Sequence, residues 1–105
     1  MSGVSGSGPE DEGPVLDEDG LLRHGGRWVA IPDTQLDVVA LLVANRDRIV
    51  ATELVVEAHA HAGGSTTPSA LEALLGRLRA RLAEVGLSLH TIRQRGVLLE
   101  VHPAC

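Results

Sequence analysis

Lysine, phenylalanine and tyrosine are all missing from this chain, and Trp28 is its single aromatic residue. The core must therefore be aliphatic, built from Leu, Val, Ile and Ala. Without aromatic platforms, stacking of bases is closed as a way to hold single strands or RNA loops. The lone cysteine, Cys105, stands at the C-terminus, so neither an intramolecular disulfide nor a cysteine zinc site can form. No run of about 18 apolar residues occurs, and the N-terminus lacks the basic-then-apolar order of a secretory signal. A soluble, cytoplasmic protein is the expectation. There is also no Gly-rich phosphate loop followed by Lys and no nucleophile elbow. Neither an enzyme nor a bound cofactor is expected.

What remains is enough for one folded domain. At 105 residues the chain can bury a single modest core, and its 44% hydrophobic content supports one. The formal net charge of −5 argues at first against a nucleic-acid partner. Its distribution reverses that. Six acids (Glu10, Asp11, Glu12, Asp17, Glu18, Asp19) fall within the first 19 residues, which hold no base. The rest of the chain sets eight acids against nine basic residues, all of them Arg. Arginine's planar fork suits phosphate and guanine, although a high-GC genome also yields Arg in place of Lys.

Residues 1–14 are Gly, Ser, Pro and acid, too polar to order themselves, so the folded domain is expected over residues 15–105. Short apolar runs broken by Asp19-Gly20 and Gly25-Gly26 predict a small hairpin or meander, with Trp28, Val29 and Ile31 as inward anchors. From Asp33 to Asn45, Leu36, Val39, Ala40 and Val43 recur at helical spacing, with Leu42 beside them and Asp33 as N-cap. Arg46-Asp47-Arg48 is a polar turn, and Ile49-Val50 a short bridging segment. Thr52 is expected to cap a second helix through Leu54, Val55, Ala58 and His61. The third helix opens with Thr67 as N-cap and Pro68 at its first position.

On that helix, residues 67–85, Leu71, Leu74, Leu75, Leu78, Leu82 and Val85 trace one apolar stripe. The opposite face is small: Ser69, Ala73, Gly76 and Ala80, flanked by Arg77 and Arg79. Residues 87–101 then predict a hairpin with Arg93 and Arg95 at its tip. The coarse order is β-β, α, α, α, β-β, an α+β fold. A helix and an adjoining ribbon that both present arginine suit a surface touching two grooves of duplex DNA.

Three segments resemble the OmpR/PhoB-type winged-helix DNA-binding domain of bacterial response regulators. LLGRLRARL (74–82) is similar to the family's recognition helix, and HTIRQRGVLLEV (90–101) to its wing. IPDTQLDVVALLVANRDRIVATEL (31–54) is similar to its first helix and the start of its second. The resemblance covers roughly residues 16 to 102 and implies a winged helix-turn-helix with short N-terminal strands, three helices and a C-terminal wing. It departs from the family pattern at Pro32, Gln35, His59, Leu74, Gln94 and Val97. Leu74 stands where a phosphate-touching histidine is frequent, Gln94 where the wing has glycine, and Val97 where it has tyrosine. The chain leaves no upstream room for a receiver domain, so the family's phosphorylation switch is not expected in it.

Carried over residue by residue, the resemblance puts Arg77 in the major groove, where arginine reads guanine bidentately. Ala73 would touch a thymine methyl, and Arg79 and Arg81 would meet phosphates. Arg93, with its neighbour Arg95, would place the wing (88–101) at the minor groove. The loop holding His61, Ser65, Thr66 and Thr67 matches the family's contact with RNA polymerase. A protein-interaction module that binds polymerase or a partner regulator, with little DNA affinity, is therefore the alternative reading. A homodimer on DNA would also fit family habit.

Two smaller patterns complete the sequence. His59 and His61 are two residues apart, about 200° around a helix, so the pair cannot share a metal ion; no metal site is expected. The acidic stretch 10–19 could fold back on the arginine face and compete with DNA, or serve as a solvated head that aids solubility.

Overall fold

The computed structural model describes residues 13–101. The order is β1 (Val15–Leu16), β2 (Leu21–His24), β3 (Arg27–Ala30), α1 (Asp33–Ala44), β4 (Ile49–Ala51), α2 (Thr52–His61), α3 (Pro68–Ala83), β5 (Leu87–Ile92) and β6 (Gly96–Val101). Most of the acidic head, residues 1–12, lies outside the described residues. Within 13 and 14, Pro14 is already buried.

Strands β1, β2 and β3 form an antiparallel sheet in that order. Its register pairs Leu22 with Val29 and Arg23 with Trp28. Successive strand residues point to opposite faces, so Trp28 and Val29 cannot both turn inward. Val29 and Ile31 are buried as expected, but Trp28 is 63% exposed, which corrects its assignment as a core anchor. The β1–β2 turn is organised by Asp17, whose carboxylate accepts from the backbone N–H of Asp19 (3.0 Å) and Leu21 (3.2 Å). Arg23 Nε donates to the same carboxylate at 3.2 Å. These partners, the Leu21 amide foremost, hold the Asp17 carboxyl below the usual aspartate range. The Asp17 carboxylate is therefore engaged within its own turn.

Helix α1 begins after Pro32, which gives no side-chain cap; Asp33 is its first residue, not its N-cap. A carboxylate in the first turn still suits the positive end of the helix. The buried stripe is Gln35, Val38, Val39 and Leu42, while Ala40 is exposed. Residues 38–43 are continuously apolar, so the sequence pattern leaves the inward face open, and contact with β1 and α2 selects it. Strand β4 runs straight into α2, so Ala51 precedes the helix and Thr52 is its first residue, with no side-chain cap. Val55 and His59 are the buried positions of α2, whereas Leu54 and His61 face solvent.

Helix α3 follows its sequence closely. Thr67 Oγ1 accepts from the Ala70 amide at 3.2 Å, and Pro68 occupies the first turn, where its missing N–H is harmless. Leu74, Leu78, Leu82 and the following Val85 are buried, with Leu71 and Leu75 packed beside them. Burying one such leucine contributes about 1.5–3 kcal/mol. The same core takes in Leu22 and Val29 of the first sheet and Leu89, Val97 and Leu99 of the second. The second sheet is antiparallel with order β4–β6–β5, so β6 is central and β5 is an edge. Asp47, in a left-handed conformation (φ 65°), locks the base of β6. Its N–H donates to Leu99 O at 2.7 Å, and its carboxylate accepts from the Val101 amide at 3.0 Å.

Candidate nucleic-acid interface

Helix α3 and the hairpin β5–β6 pack against each other, and together they carry five arginines. With about 100° between successive helix residues, Leu78 points into the core and Ser69, Ala73, Gly76 and Ala80 point away from it. All four of these small residues are exposed. A Cβ built at Gly76 would meet nothing within 4 Å, so no packing inside the chain requires glycine there. The outward face of the helix is thus smooth and close to its backbone.

Arg77 and Arg79 leave this face on opposite flanks. Arg77 is exposed, and no described residue engages its guanidinium. Arg79 turns toward the hairpin: its Nε donates to Leu89 O at 3.2 Å and a terminal nitrogen donates to Thr91 Oγ1 at 3.3 Å. Arg81 turns toward the first sheet, donating to Ala30 O at 3.0 Å. Its Nε is buried with no partner among the described residues. Placed at phosphates by the sequence reading, Arg79 and Arg81 each direct donors to the protein's own backbone, while keeping further N–H groups. His24 Nδ1 donates to Val85 O at 2.6 Å, a second tie between the first sheet and the end of α3.

At the hairpin tip, Arg93, Gln94 and Arg95 are all exposed. The Arg95 amide donates to Ile92 O at 3.0 Å, closing a turn in which Gln94 has φ 63°. A residue with a Cβ is disfavoured there, which explains why a glycine fits the position in the resembled family. Gly96 follows at φ 149°, and a Cβ on it would overlap the Val50 carbonyl of β4. The tip is therefore anchored by a glycine that no other residue can replace without moving β4. The guanidinium groups of Arg93 and Arg95 have no hydrogen-bonding or ionic partner among the described residues. Further along the hairpin His90 Nε2 donates to Glu100 Oε1 at 2.8 Å, pairing the two strands.

The loop between α2 and α3 forms a separate exposed patch. His61 Nδ1 donates to Asp37 Oδ2 of α1 at 2.8 Å, while Ser65, Thr66 and Thr67 are exposed. His59 lies beneath the loop, its ring filling the space a side chain on Gly64 would need. The two histidines thus occupy different surroundings, one buried and one hydrogen-bonded to Asp37 at the surface.

No protein-family model and no curated protein matches the sequence. Among solved structures, the chain is similar to the C-terminal domain of the nisin resistance regulator NsrR, a lantibiotic response regulator. The TM-score is 0.68 at 25% sequence identity, over 86% of this chain and 94% of that one. The fold is a winged-helix effector domain. The hairpin β5–β6 is the wing of that fold, and α3 is the helix that precedes it. No described helix is long and apolar enough to cross a membrane. Sequence reasoning missed the internal roles of Arg79, Arg81 and His24, because their partners are carbonyls or a threonine far along the chain. No spacing in the sequence marks such contacts.

Proposed function

We propose that this protein is a DNA-binding transcriptional regulator, with α3 in the major groove and the wing at the adjoining minor groove. The observation that carries the reading is the pair of unengaged guanidinium groups, Arg77 on α3 and Arg93 on the wing, projecting from two elements packed together. Arg77 is the residue for guanine, with Ala73 four positions earlier on the same exposed side for a thymine methyl. Arg93 and Arg95 supply the minor-groove contacts, and backbone phosphates fix the register. The family of the structural neighbour, a response regulator, supports the same reading. The net charge of −5 makes the affinity modest, and the arginine–phosphate contacts make it salt-dependent.

The test is fluorescence anisotropy with a random-sequence duplex pool over a salt series, on wild type and on the double variant Arg77→Ala, Arg93→Ala. Binding that strengthens steeply at low salt and is lost in the double variant is the expected result. Absence of wild-type binding at about 50 mM salt, where phosphate contacts are strong, would refute it. That outcome would favour the exposed loop at His61, Ser65, Thr66 and Thr67 as a contact for RNA polymerase or a partner regulator. A pull-down with polymerase would then decide.

A further inference from the structure

We infer that Arg79 is a positioning residue that fixes the wing relative to the recognition helix, setting the spacing between the two groove contacts. The inference rests on the DNA-binding reading above. Its geometric basis is the fork of Arg79, which reaches across from the middle of α3 and bonds Leu89 and Thr91, alternate residues of β5. Nε–H donates to the Leu89 carbonyl, and a terminal N–H to the Thr91 hydroxyl. Leu87 and Leu89 are buried against the core, but at Thr91 the strand has passed the helix and become exposed. Arg79 therefore grips β5 at the point where apolar packing ends and the free part of the wing begins.

The rest of the hairpin shows why that grip matters. Its base is held by Asp47 and by the pairing of β4 with β6, which ends at Ala51 and Gly96. Among the described residues, β5 is the edge of its sheet and pairs with β6 alone. The Arg79 fork adds a restraint on the free part of the wing. Arg93 lies two residues beyond Thr91, so a tilt of β5 about Leu89 would carry Arg93 away from α3. The distance from Arg77 to Arg93 then depends on Arg79 as well as on the β5–β6 ladder and the seat of Gly96 on β4. Lysine could not substitute, because one ammonium on a flexible stem does not reproduce a planar two-donor fork.

Three variants separate this role from a phosphate contact: Arg79→Ala, Arg79→Lys and Thr91→Val, the last leaving every charge in place. Affinity for the random-sequence duplex pool is measured across a salt series, alone and combined with Arg93→Ala. Hydrogen exchange at the Arg95 amide is followed in the free protein. Two lost hydrogen bonds of about 0.5–1.5 kcal/mol each set a loss of roughly fivefold to 140-fold for Arg79→Ala. Arg79→Lys should lose nearly as much, and Thr91→Val a few-fold with an unchanged salt slope. The penalty of Arg93→Ala should shrink when Arg79 is already Ala, and exchange at Arg95 should quicken in all three variants.

Retention of wild-type affinity in Arg79→Lys, with a slope reduced by about 0.9 in Arg79→Ala, would overturn the role in favour of a phosphate contact. Additive losses with Arg93→Ala would also overturn it. Should wild type fail to bind DNA, the functional reading falls and the positioning role with it. Exchange at Arg95 would still decide whether the clamp exists, and an unchanged rate in Arg79→Ala would refute even that.

Discussion

The two small sheets of this domain end in hairpins built to opposite standards. In the first, β2 and β3 are joined by Gly25 and Gly26, both at positive φ (60° and 79°), the conformation a two-residue type I′ turn demands. In the second, the left-handed position is given to Gln94, and Gly96 is pressed against the Val50 carbonyl. The first hairpin is relaxed and ends in two glycines with no side chain to offer. The second is strained and ends in two arginines. Strain of this kind gathers where a surface contacts something else, because selection for side chains at the tip overrides selection for easy backbone.

Core truncations give the largest effects and test whether the two sheets share one fate. Leu22 of the first sheet and Leu99 of the second are both fully buried in the same core. Leu22→Ala and Leu99→Ala should each cost about 2–5 kcal/mol, measured by urea unfolding, with both sheets lost in a single transition. Separate transitions would show that the first sheet is an independent unit. Next in size is Gly96→Ala, which forces the wing off β4 and should destabilise by about 1–3 kcal/mol. Chemical shifts of Val50 and Ala51 should move with it, whereas Gly76→Ala, in open space, should stabilise the free protein by roughly 1 kcal/mol.

The strain argument is checked by a pair of opposite changes of smaller size. Gln94→Gly should stabilise by up to about 1 kcal/mol, and Gly25→Ala should destabilise by a similar amount. Equal signs for the two would break the contrast between the hairpins. The smallest effect belongs to Asp17, whose carboxyl is held low chiefly by the Leu21 amide. Its contribution to stability is present above the unfolded aspartate value of about 3.9 and is lost as pH falls through the lower folded value. An NMR titration of Asp17 with its midpoint at or above about 3.9 would contradict the turn geometry.

Helix α3 was almost wholly legible in advance. Its cap, its first proline and its six-residue apolar stripe all sit where the sequence placed them. A stripe interrupted by polar residues leaves one way to roll the helix. Helix α1 lacked that clarity, since its apolar residues run almost all the way round and contact with β1 and α2 chose Val38 and Leu42 over Ala40. Trp28 was misplaced for a related reason. Hydrophobicity alone ranks it first for burial, yet strand alternation admits either Trp28 or Val29, and Leu22 opposite Val29 settles the matter.

Composition and periodicity suffice to specify a chain that folds around aliphatic side chains, in the order strands, three helices, hairpin, with arginines on the last two elements. Those properties are local: they follow from composition, period and turn residues within a few positions of each other. What each arginine faces emerges from the packing of distant segments. Arg77, Arg79 and Arg81 alternate along one helix, and about 200° between successive members sends Arg79 to the wing and Arg81 to the first sheet. Arg77 alone of the three is left without a partner among the described residues. Which carbonyl waits at each flank is fixed by strands 10 and 51 residues away in the chain, a distance over which sequence pattern carries no information.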